Sequence, residues 1–169
     1  PLVGLLLGGA TRRKPFTKSV AADLGARVGK LTSAAGGSLV ITTSPRTGEA
    51  ADHVAAAAAG AGAKPQLVHQ WSRHGDNPYL GILALADILV VTGDSVSMCT
   101  EASATAKPVY IYAPSGFVVP KHARFQADLF AKGYARPLSD NFETWEHPPL
   151  NPSEEIAAEI RRRMAANKR

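Results

Sequence analysis

Two short segments carry the residue types suited to holding an anion. Gly8-Gly9-Ala10-Thr11 ends an apolar run and leads into Arg12, Arg13 and Lys14, so main-chain N–H groups there can approach a phosphate while Arg12 or Lys14 neutralises it. A plain structural turn explains paired glycines equally well, and the segment matches neither the GxGxxG dinucleotide fingerprint nor the GxxxxGK[ST] P-loop. In the second segment, Gly93-Asp94-Ser95-Val96-Ser97-Met98-Cys99-Thr100-Glu101-Ala102, serines stand where they cap a helix. The first amides of such a helix are unpaired and lie at the positive end of its dipole, which attracts phosphate. Glu101, one turn inside, has a carboxylate able to accept both hydroxyls of a ribose; support of the cap is its competing role.

Other candidates surround these two. Trp71 and Asn77 are expected near a nucleobase, with simple packing as the alternative for the aromatic ring. Lys121 and Arg124 open a later helix together with His122 and Phe125, and read either as phosphate contacts or as solvated surface. Asp94 joins Glu101 as a carboxylate placed for acid or base work. The 5 histidines form no HExxH or closely paired motif, so no metal site and no cofactor is expected. Cys99 stands alone, which excludes an internal disulfide and a cysteine zinc site, suits a reducing cytosol and reads as a buried thiol. No Ser-His-Asp ordering is arguable, so no catalytic residue is named.

Apolar runs at 2–7, 38–43, 66–70, 88–92 and 109–112 read as buried strands. Between them lie helical patterns: Thr17 caps a stripe of Val20, Leu24, Val28 and Leu31, and further helices are expected over 49–59, 78–85, 97–106 and 122–132. A last helix starts at Asn151-Pro152, with Glu154 placed for a capping box and Ile156, Ile160 and Met164 on one face. Strands alternating with helices demand crossovers that return the chain in one direction, so the fold class is α/β: a Rossmann-like three-layer domain with a parallel sheet of order 3-2-1-4-5, a sixth strand being left open. Right-handed crossovers collect the loops after the strands at one edge, where the first and fourth strands flank the topological switch point. Both anion-suited segments fall there.

The 169 residues fit a single domain with one core. With 45% apolar and 20% charged residues, disorder and collagen are excluded, and no apolar run approaches the roughly 20 residues of a membrane span. The net charge of +5 suits a phosphate-bearing partner, but basic residues without interleaved aromatics exclude a nucleic-acid groove. The chain opens at Pro1 directly on a strand, which leads us to expect a piece of a longer protein.

Leu5-Leu6-Leu7-Gly8-Gly9, Asn77-Pro78-Tyr79-Leu80-Gly81 and Val90-Val91-Thr92-Gly93-Asp94-Ser95-Val96-Ser97-Met98, followed by Glu101-Ala102 and Lys107-Pro108-Val109-Tyr110, resemble the mitochondrial-fission (elongated-mitochondria) family of nucleoside-diphosphate-sugar enzymes over about residues 2–138. That family is similar to GT-B glycosyltransferases, whose C-terminal Rossmann-like half holds the donor nucleotide. The resemblance implies that this chain is that half, without its N-terminal domain. Ser95, Ser97, Glu101 and Pro108 match the diphosphate- and ribose-binding pattern, and Ala106 stands where glycine is common. Implied nucleotide and diphosphate contacts are Gly8, Gly9, Thr11, Arg12, Ser95, Ser97, Met98, Glu101, Lys121 and Arg124. The implied activity is metal-independent glycosyl transfer in the full-length protein, the isolated half being inactive. Expected partners are a nucleotide-sugar donor, the missing domain and an unidentified acceptor, in the cytoplasm or peripherally at a membrane. An interaction protein that kept the fold and lost catalysis is the alternative. A nucleotide-sugar epimerase ranks last, because the dinucleotide fingerprint is absent after the first strand.

Overall fold

The computed structural model describes residues 1–11 and 14–166, the side chain of Glu155 excepted. Six strands form one parallel sheet: β1 (Leu2–Leu7), β2 (Ser38–Thr43), β3 (Leu67–His69), β4 (Ile88–Thr92), β5 (Val109–Tyr112) and β6 (Arg136–Pro137), ordered β3-β2-β1-β4-β5-β6. The central strand β1 pairs Val3 with Leu39 on one side and with Ile88 on the other. β6 fills the sixth place that the sequence left open. Two features differ from expectation: the third strand is shorter, and the helix after β4 stops at Ser103, ahead of a turn through Ala106, a non-glycine residue at φ 59°.

Alternation along the strands divides the core into two layers. Val3, Leu5, Leu7, Ile41, Val90 and Tyr112 face α1 (Lys18–Ala34) and α2 (Ala50–Gly60). Leu6, Leu89, Val91, Val109 and Ile111 face α3 (Tyr79–Leu85), α4 (Val96–Ser103) and α5 (Pro120–Ala131). The alanine-rich α2 lies close on α1: a side-chain carbon at Gly25 would stand 2.3 Å from the Val54 carbonyl oxygen. Beyond β6 the chain folds back over the sheet, and Trp145 meets the Tyr110 ring at 5.3 Å. It then enters α6 (Pro152–Ala166), where Asn151 Oδ1 accepts from the Glu154 amide at 3.1 Å. The apolar stripe expected on α6 is exposed: Ile156, Ile160 and Met164 keep 61%, 52% and 60% of their surface. Among the described residues no helix is long and apolar enough to cross a membrane.

Candidate functional site

Because β1 and β4 are neighbours, the turns that follow them meet at the carboxyl edge of the sheet. Their contact is more intimate than an open anion cradle. The Gly8 amide donates to Thr92 Oγ1 and the Gly9 amide to Asp94 Oδ2, both at 2.7 Å, and both bonds are buried. The Ala10 amide goes to the Arg46 carbonyl (3.2 Å) and the Thr11 amide to the Lys14 carbonyl (2.8 Å). The glycine turn, expected to present free donors, therefore presents none: its four amides are spent inside the protein. Both glycines serve close approach instead. A side-chain carbon at Gly8 would stand 2.4 Å from an Asp94 oxygen, and one at Gly9 would stand 2.2 Å from the Arg46 backbone.

The loop after β2 completes this knot. Ser44 Oγ donates to the Gly8 carbonyl at 2.8 Å, and the Thr47 hydroxyl lies against the carbonyls of Leu7 and Gly8. Arg46 reaches across it: Nη1 donates to the Ala10 carbonyl at 3.2 Å, and Nη2 stands 3.4 Å from Asp94 Oδ2. Position after a strand marks residues 44–47 as belonging to this edge, yet no motif in the sequence singles out Arg46. Asp94, read from sequence as an acid or base, is instead a buried acceptor for the Gly9 amide.

Free donors lie one step further along, at α4. Ser95 caps this helix, its Oγ accepting from the Met98 amide at 3.4 Å and lying 3.3 Å from Ser97 Oγ. Among the described residues the amides of Val96 and Ser97 have no partner. Ser97 is exposed and Met98 half-buried. Glu101 is also exposed, and the Tyr79 hydroxyl donates to its Oε2. Burial and this bond hold the Tyr79 hydroxyl well above the usual phenol range. Asn77, expected beside a base, uses its Oδ1 to accept the Tyr79 amide at 3.0 Å, which fixes the turn that aims Tyr79 at Glu101.

The remaining candidates are scattered. Trp71 is 38% exposed and lines a hollow of about 160 Å³ with Thr43, Ser44 and Gln70, below the volume of an ordinary ligand pocket. Lys121 and Arg124 are exposed on α5 and make no hydrogen bond or ion pair with either turn. Arg12 lies outside the described residues. Cys99 is fully buried, and burial with the nearby Asp94 charge pushes its thiol up to about 12, so it is not a thiolate near neutrality. Among the described residues no group of three or more His, Cys, Asp or Glu side chains is arranged to hold a metal ion.

Comparison with known proteins agrees with this architecture. Over 102 residues, 59% of this chain and 24% of the relative, the sequence is 43% identical to the Mitochondrial fission protein ELM1 of Arabidopsis thaliana. It is 28% identical over 169 residues to Uncharacterized protein RP120 of Rickettsia prowazekii (strain Madrid E), covering 97% of this chain and 47% of that one. The chain thus spans less than half the length of either relative. A solved structure of the molybdenum cofactor carrier protein MCP from Chlamydomonas reinhardtii aligns with a TM-score of 0.51 at 19% identity, over 83% of this chain and 90% of that chain. That likeness concerns the Rossmann-like α/β fold alone. The family model described as Mitochondrial fission ELM1 matches residues 1–164, and the chain belongs to that family.

Proposed function

We propose that the sheet edge where β1 and β4 end binds a nucleoside diphosphate, carried as a nucleoside-diphosphate sugar, and that the chain is the donor half of a GT-B-like glycosyltransferase. The observation that carries this reading is the pair of unpartnered amides at Val96 and Ser97, set on a capped helix at the topological switch point. One turn further in, Glu101 keeps its second carboxylate oxygen free of hydrogen bonds among the described residues, available to a ribose diol while Tyr79 steadies the first. As the glycosidic bond breaks, charge develops on the departing diphosphate, and fixed N–H dipoles already aimed at it stabilise that charge without reorganisation. The acceptor, its activating base, a cytoplasmic place at a membrane surface and the companion domain belong to the same proposal.

Calorimetric titration of the full-length protein with UDP, GDP, ADP and dTDP tests it. Saturable binding of at least one is expected, and Glu101→Ala should weaken that nucleotide while leaving inorganic pyrophosphate unaffected. Absence of binding to all four overturns the reading. It would favour a non-catalytic interaction protein, for which the exposed Ile156, Ile160 and Met164 beside basic Arg161, Arg162 and Arg163 of α6 speak.

A further inference from the structure

The knot at the switch point holds an anion of its own. Asp94 has a side chain only 2% exposed, yet among the described residues both of its polar contacts fall on Oδ2, while Oδ1 is buried without a partner. Its carboxylate occupies the place against the Gly8-Gly9 turn that a ligand phosphate takes when such a turn is open. Among the described residues the cation paired with it is Arg46, at 3.4 Å, the weak end of the hydrogen-bonding range.

Arg46 is built differently from a buried partner. Its side chain is 44% exposed, and Nη1 is anchored by the carbonyls of Gly9 (3.4 Å) and Ala10 (3.2 Å). A guanidinium has five N–H donors in a fixed fork, so donors remain for a ligand at this edge while Nη1 stays tethered. We infer that Arg46 is the cation that anchors the diphosphate, and that Asp94 competes with the ligand for it. This rests on the diphosphate-binding reading above and adds to it the residue that grips the charge and the internal group that holds that grip in check.

The two roles make opposite predictions for Asp94. A carboxylate that only supports the site should weaken binding when altered, whereas a competitor should strengthen it. Asp94→Asn keeps an oxygen for the Gly9 amide and removes the charge. The full-length protein, its Asp94→Asn and Arg46→Gln variants and the double variant are titrated calorimetrically with inorganic pyrophosphate and with UDP, GDP, ADP and dTDP. The double variant has no unpaired buried charge, which separates loss of binding from loss of folding. Asp94→Asn should bind pyrophosphate and the preferred nucleotide more tightly than the parent, and both Arg46→Gln proteins should bind them weaker than the parent by about tenfold or more. Equal or weaker binding by Asp94→Asn, or parental affinity in the double variant, overturns the Arg46 assignment while leaving the diphosphate reading standing. A parent protein that binds none of the five compounds overturns both.

Discussion

Replacing Gly9 by alanine tests the central finding that the glycine turn is packed against the protein rather than open to a ligand. The new carbon would stand 2.2 Å from the carbonyl carbon and oxygen of Arg46 and 2.6 Å from the Thr47 nitrogen, all backbone atoms. Gly9 does not have a positive φ, so alanine suffers no conformational penalty there and the cost is contact alone. Relief requires the turn and the loop after β2 to separate, with an overpacking cost of about 1–3 kcal/mol. Separation also draws the Gly9 amide off the buried Asp94 carboxylate, adding about 1.5–3 kcal/mol for a charge-assisted bond. Together these predict a loss of about 2.5–6 kcal/mol, or about 5–24 °C in melting temperature for a chain of this size. Urea and thermal denaturation of Gly9→Ala measure it. Gly81→Ala is the matched control: nothing lies within 4 Å of its added carbon, and it sits in the exposed interior of α3. It should gain about 0.5–1 kcal/mol. If Gly9→Ala behaves like this control, the turn is not packed as described and its amides become available again as phosphate donors.

Other perturbations follow from single contacts. Ala106→Gly relieves a left-handed residue whose strain is about 1–2 kcal/mol, offset by about 0.5–1 kcal/mol of unfolded-chain entropy, so the denaturation midpoint should rise slightly; a fall contradicts the strain argument. Ser95→Ala removes the α4 cap and should cost about 0.5–2 kcal/mol in the same assay, while no loss would mean that the cap bond contributes nothing. On the alkaline side, the folded protein holds the Cys99 proton to about 12 against an ordinary 9.0. That contribution is complete below pH 9 and is lost as pH rises toward 12. Tyr79 and Tyr112 are shifted the same way, by burial first and then by Glu101 and Asp23, and add to the loss above pH 10. Urea midpoints should therefore decline from pH 9 upward and decline less steeply in Cys99→Ala; a flat parental profile refutes the buried-thiol assignment.

The α/β architecture was legible along the chain because strands buried on both faces must be apolar throughout, and because right-handed crossovers leave few ways to order them. The meeting of the turns that follow the first and fourth strands, at the carboxyl edge of the sheet, followed from the same rules. So did a serine cap on the helix after the fourth strand, which the structure places at Ser95, three residues before its partner Met98. Other features left no such trace. Arg136–Pro137 forms β6 with only two residues, too short for any periodic pattern to register. The fate of the Gly8-Gly9 amides depended on Thr92 and Asp94, 84 and 85 residues away, and on Arg46 from a third loop. A pair of glycines after a strand reads alike whether its donors are free or taken. Only the folded sheet, by bringing a carboxylate from a distant strand end against the turn, selects between these outcomes, since hydrogen-bond donors are satisfied by whatever group the tertiary fold places within about 3 Å.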